Sequence, residues 1–215
     1  MRSRIKVHAL LLIIVLSMSS CVNIVNLFKI NADKSGTAFI GIEINAVSGL
    51  LDLASEYIDN DFKKKITVFP AEADEKLKGL KGVSNIKSYL EVNSGKLGVE
   101  FDFKNPKALN TALYALLDKE RKCYFPDIIK IRKHKVKIRD VSFYIKEYIE
   151  DNNEEMSPLV INYIKYNTVV IFPKKIKSVK NNTGFISYDK KTYSNIVPIK
   201  DIMEDKAVMG AIIKY

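Results

Sequence analysis

Between Leu97 and Phe103 the chain alternates without a fault: Leu97, Val99, Phe101 and Phe103 are apolar, and Gly98, Glu100 and Asp102 lie between them. Strand side chains point to opposite faces with a period of two, so this stretch is a strand with one buried face. The period then changes. Asn105 is a favoured helix N-cap, and Pro106 suits the first helical position, where its missing N–H costs nothing. Leu109, Ala112, Leu113, Leu116 and Leu117 recur at helical spacing, giving a helix with one apolar stripe to bury. A half-buried strand followed at once by an amphipathic helix points to helices laid on a sheet.

The same reading extends along the chain. Ala38, Ile40, Ile42 and Ile44 alternate with Thr37, Gly41 and Glu43, with Phe39 the exception. They form the second arm of a hairpin whose first arm is Val22 to Ile30 and whose turn draws on Asp33 and Gly36. Val47, Leu50, Leu51, Ala54 and Ile58 predict a helix ending before the charges of Asp59 to Lys65, and a short helix is predicted over Glu72 to Leu80. Val83 to Val92 pairs with the strand beginning at Leu97. Beyond Pro126, Ile129, Ile131, Val136 and Ile138 alternate with cations. Val141 to Ile149 reads as a helix and Asp151 to Ser157 as an acidic loop. Further strands are predicted at Val169 to Phe172, Ile176 to Val179, Phe185 to Tyr188, Tyr193 to Ile199 and Val208 to Tyr215. The expected fold class is α+β, with antiparallel hairpins, helices packed on one face and a strand-rich C-terminal half. The polar run Asp118 to Lys122 is the best lobe boundary, dividing 21–118 from 119–215, with packing shared between the lobes.

The N-terminus addresses destination. Arg2, Arg4 and Lys6 precede an apolar run from Ala9 to Leu16, and small residues follow, which is the three-part form of a secretory signal over residues 1–20. The run falls well short of the roughly 20 residues that span a bilayer. Met18-Ser19-Ser20-Cys21 resembles the lipobox of bacterial lipoproteins, an apolar residue and two small ones before a cysteine. That resemblance implies cleavage before Cys21 and a diacylglyceryl thioether on its sulfur, usually with a further acyl chain on the amine. At ~0.8 kcal/mol per buried methylene, two or three chains anchor a protein permanently. The other cysteine, Cys123, is then a lone thiol among only two cysteines in 215 residues, so the core holds without disulfides.

Four stretches, Phe28 to Thr37, Gly82 to Ile86, Phe101 to Asn110, and Phe172 to Ile176 with Val179 and Asn181, resemble bacterial envelope lipoproteins related to the LppM-like domain. The resemblance implies an opening hairpin turn, a strand-to-helix unit and a late sheet strand. It also implies an envelope domain of mostly unassigned function, with lipid binding proposed for some members. Lys174-Lys175 stands where a glycine often follows the Phe-Pro pair.

No sequence pattern demands catalysis. HExxH, GxSxG, Walker and GxGxxG patterns are absent. Once His8 leaves with the signal, His134 is the one imidazole, and it lies between Lys133 and Lys135, which disfavour a metal and place it in a solvated turn. Glu100 and Asp102 share a strand face, as a carboxylate pair would, but read as its solvent side. No cofactor or metal is expected.

Charge is the most distinctive feature. Lys and Arg total 35 against 25 Asp and Glu; loss of Arg2, Arg4 and Lys6 leaves a mature charge of about +7. Lys130, Arg132, Lys133, Lys135, Lys137 and Arg139 are interleaved with Ile and Val, making a polar strand face with an apolar reverse. Lys130, Arg132, Lys135, Lys137 and Arg139 are the candidate contacts to anionic lipid headgroups, where each cation contributes ~1 kcal/mol. Export excludes nucleic acid as a partner. The leading expectation is a non-enzymatic lipoprotein of the cell envelope, facing the periplasm and serving as an adaptor or binding module for envelope proteins. The alternatives are a lipid- or glycolipid-binding protein and a hydrolase with a dispersed site.

Overall fold

The computed structural model describes residues 22–44, 60–91, 95–122, 124–151, 161–162, 164–180 and 184–215. The signal segment with Met18, Ser19, Ser20 and Cys21, the helix expected on Val47 to Ile58, Cys123 and most of the acidic loop lie outside the described residues. In chain order the elements are β1 (Val22–Ile30), β2 (Gly36–Ile44), α1 (Asn60–Leu77), β3 (Val83–Glu91), β4 (Lys96–Phe103), α2 (Pro106–Leu116), β5 (Ile129–Arg132), β6 (Lys135–Ile138), α3 (Ser142–Asp151), β7 (Ile164–Ile171), β8 (Ser178–Lys180), β9 (Phe185–Ile186), β10 (Thr192–Pro198), α4 (Ile199–Met203) and β11 (Ala211–Lys214). The fold is α+β. One sheet has seven strands in the order β3-β4-β2-β1-β7-β10-β9, and a second has four, β5-β6-β11-β8.

Local chemistry explains the elements that the sequence announces. In the β1–β2 turn the Asp33 carboxylate accepts from the Ser35 N–H and hydroxyl at 3.0 and 2.7 Å, the side-chain turn that Asp favours. Asn105 is extended and its carbonyl oxygen accepts from the Ala108 N–H at 3.0 Å, capping α2 just before Pro106. Phe39 breaks the alternation of β2 for a physical reason. Gly41 and Gly98 face each other across β2 and β4, and neither carries a Cβ, so the Phe39 ring lies over both. It is buried there, edge-on to Tyr89 at 6.0 Å.

Two elements, α1 and β7, differ most from the sequence reading, and the short helix α4 was not expected in it. α1 starts at Asn60, inside the charge cluster expected to follow a helix, and continues through Pro70. Proline removes an intrahelical hydrogen bond, yet Ala73 and Leu77 are buried in the core and hold the helix against β3 and β4. β7 is eight residues rather than four, because Tyr166 and Thr168 occupy inward positions and conceal the alternation. β7 also lies parallel to β1, the one parallel pair among otherwise antiparallel ladders of the described residues.

The helices cover one face of the large sheet, and residues on both sides of Asp118 contribute to the same sheet and core. Near Phe28, Ile30, Ala38, Val99, Phe101 and Val170, the covering layer is α1, α2 and the small sheet. Toward the other end Val22, Ile164 and Val197 pack with Ile149 of α3 and with Ile199 and Ile202 of α4. Between these clusters runs a buried polar row, Asn26, Thr168 and Asn195, in register across β1, β7 and β10. The Tyr166 phenol lies beside it, its pKa pushed up to about 12 by burial, with Asn26 opposing the shift.

Candidate anionic-surface interface

One buried polar side chain ties the small sheet to α2. Asn110, fully enclosed on α2, donates to the Pro106 and Ile129 carbonyls at 2.8 Å each and accepts from the Ile128 and Ile129 N–H groups at 2.7 and 3.1 Å. It therefore welds the start of β5 to the helix. At the far end Tyr215 stacks on Phe172 with centroids 4.8 Å apart, and its hydroxyl donates to the Arg132 carbonyl at 3.1 Å. Burial pushes that phenol's pKa up. The Tyr215 N–H also meets the His134 carbonyl, so the chain end clamps the β5–β6 turn.

With this frame fixed, strand alternation sorts the remaining side chains. Ile129, Ile131, Val136, Ile138 and Ile213 enter the core. On the reverse, Lys130 faces Lys137 and Arg132 faces Lys135. β11 places Lys214 opposite Lys135, and β8 places Lys180 opposite Ile212. The outer face thus gathers Lys130, Arg132, Lys135, Lys137, Lys180 and Lys214, all exposed except half-buried Lys135, with Ile212 and Ser178 completing its ladder positions. No carboxylate stands at those positions. Among the described residues none of these six cations makes an ion pair, although eight such contacts occur elsewhere.

Like charges directly opposite on a sheet cost ~0.2–1 kcal/mol per pair, and this face carries Lys130–Lys137, Arg132–Lys135 and Lys135–Lys214. An anionic surface would remove that repulsion on contact. Of the five cations expected as headgroup contacts, Lys130, Arg132, Lys135 and Lys137 share the open face. Arg139 is at its rim: its Nε donates to the Asp127 carbonyl at 3.4 Å, while the Asp127 carboxylate binds the Arg121 guanidinium at 2.7 Å. Lys180 and Lys214 were not among the candidates. Each flanks a core-facing residue, Val179 and Ile213, so strand alternation supplied a local signal; their arrival at this face depends on long-range pairing.

The other candidates have structural partners or positions. Lys133 and His134 form the exposed β5–β6 turn. The Asp102 carboxylate accepts from the Thr37 hydroxyl and the Asn85 amide at 2.7 Å each, and Glu100 pairs with Lys87 at 3.9 Å. Both carboxylates serve cross-strand contacts. Among the described residues no group of three or more His, Cys, Asp or Glu side chains is placed to hold a metal, and no helix is long and apolar enough to cross a membrane. Cys21 directly precedes Val22, the first residue of β1, which is itself buried against α3 and α4 residues.

No protein-family model matches the chain, and no curated protein sequence does. Among solved structures it is similar to the NMR structure of the folded domain of LppM from Mycobacterium tuberculosis. The identity is 11% and the TM-score 0.40, with 92% of this chain and 91% of that one covered. The chemistry of the basic face rests on its own residues.

Proposed function

We propose that the protein is a lipid-anchored, non-enzymatic module of the cell envelope whose small sheet binds anionic lipid headgroups through its outer face. The observation that carries this reading is the cluster of six cations with no carboxylate among its ladder positions and no ion pairs among the described residues. A face of that kind is repulsive in isolation and attractive to a negatively charged surface. At ~1 kcal/mol per cation near anionic lipid, even three engaged side chains contribute ~3 kcal/mol, more than a hundredfold in affinity. Lipidation of Cys21 would hold the domain at the bilayer with no flexible tether, since β1 begins at the next residue.

Two measurements test the parts separately. Unlipidated protein should sediment with phosphatidylcholine vesicles containing phosphatidylglycerol, be released by salt, and ignore vesicles of phosphatidylcholine alone. Equal binding to both compositions would sink the electrostatic reading. Metabolic palmitate labelling should disappear in a Cys21→Ala variant; continued labelling refutes lipidation at that position.

A further inference from the structure

Beside the basic face lies a second surface of different chemistry. Phe143 on α3 and Tyr124 before β5 are each 70% exposed, which is unusual for large aromatic side chains. They belong to two adjoining ring clusters. Tyr124 meets Phe125 at 5.1 Å, Phe125 meets Tyr114 at 5.3 Å, and Phe143 meets Tyr144 at 5.9 Å. Lys119 joins the two, its backbone N–H donating to the Tyr114 carbonyl at 2.9 Å while its Nζ lies over the Tyr144 ring. Cations sit over these rings: Lys119 Nζ is 5.0 Å from the Tyr144 centroid and Lys122 Nζ 6.0 Å from that of Tyr124.

Two features give this surface an orientation. It is continuous with the basic face, because Arg139 ends the outer row of β6 and touches Asp127, which pairs with Arg121 next to the rings. The helix that carries Phe143 also reaches the first residue of β1. Ile149 of α3 packs in the same cluster as Val22, one residue after Cys21, and Phe143 lies on that helix.

We infer that Phe143 and Tyr124, with Lys119 and Lys122, form a wedge that enters the headgroup layer of an anionic bilayer. This rests on the membrane reading above and adds a depth and an orientation to it. Aromatic rings with polar surroundings concentrate at membrane–water interfaces, where ring and cation are both satisfied. A patch built to bind only a charged surface at a distance gains nothing from two exposed rings. A protein partner would use the same rings but would leave them out of the lipid.

The chain has no tryptophan, so one substitution creates a unique reporter. Full-length lipidated protein carrying Phe143→Trp is reconstituted into vesicles of phosphatidylcholine and phosphatidylglycerol, with or without bromine on the upper acyl chains. The inference expects a shift of emission to shorter wavelength and loss of most of the intensity in brominated vesicles. The control, Tyr188→Trp at a fully exposed turn before β10, should keep its intensity. Equal Phe143→Trp emission in the two vesicle types overturns the wedge. Failure of unlipidated protein to prefer anionic vesicles would instead overturn the headgroup reading, so the two failures are distinguishable.

Discussion

Exchanging Lys130 for glutamate should make the protein more stable and a poorer membrane binder at the same time. Lys130 lies directly opposite Lys137. That like-charge pair costs ~0.2–1 kcal/mol, and an opposite-charge pair in its place gains about as much, a swing of ~0.4–2 kcal/mol. Lys130 is exposed, so solvent screening favours the lower part of that range. At ~2–4 °C per kcal/mol for a chain of this size, the thermal midpoint should rise by about 1–4 °C. The same substitution removes two units of positive charge from the face. At ~1 kcal/mol per unit, affinity for phosphatidylglycerol vesicles falls by ~2 kcal/mol, roughly 30-fold. Calorimetry and vesicle sedimentation at low ionic strength measure the two effects, and both should shrink together as salt shortens the screening length. Lys64→Glu, on the exposed side of α1, changes total charge equally and should leave binding close to wild type. A Lys130→Glu variant that is less stable, or that binds anionic vesicles as wild type does, refutes the argument.

Asn110→Ala strips two backbone donors and a buried carbonyl of their partners, and at the lower part of ~1–3 kcal/mol per orphaned group should cost at least ~3 kcal/mol in urea unfolding; an undiminished midpoint would show that the weld is dispensable. Gly98→Ala should destabilise the large sheet by ~1–3 kcal/mol, because its Cβ would meet the Ile40 carbonyl and the Phe39 ring, and a variant as stable as wild type would contradict that packing. Tyr166 titrates near 12 in the fold against an ordinary value of 10.0, so its contribution to stability is complete below pH 10 and is lost as pH rises through about 12. Stability should therefore fall across that window, and Tyr166→Phe should fall less steeply; identical slopes would refute the assignment.

The α+β class was legible because apolar periodicity is a local property. Leu97 to Phe103 and Ile129 to Ile138 announce which side chains are buried, and the structure buries them. Asn105 and Pro106 mark a helix start within two residues for the same reason. What was not legible depends on partners distant in sequence. Lys180 and Lys214 reach the basic face only because β11 pairs antiparallel with β6 and β8 with β11. Asn110 looked like an unremarkable residue of an amphipathic helix until β5 was placed against it. In β7, Tyr166 and Thr168 point inward beside Asn26 and Asn195, and polar residues on a core-facing side defeat a reading founded on hydrophobic alternation. Pro70 hid α1 in a similar way, since local preference opposes a helix there and tertiary burial of Ala73 and Leu77 overrides it.

Two departures from stability-only design remain. The row Asn26, Thr168 and Asn195 buries polar side chains, where aliphatic residues would spare the desolvation cost. The outer face of the small sheet sets cation against cation where alternating signs would attract. Their consequences differ. The polar row lies inside, where it separates the two apolar clusters, whereas the cations lie outside, where relief can come from another surface. A repulsive array that a Lys-to-Glu exchange within one of its three like-charge pairs would improve is costly to the isolated protein and favourable beside an anionic one. That asymmetry is why the basic face, rather than the buried row, supports the proposed membrane contact.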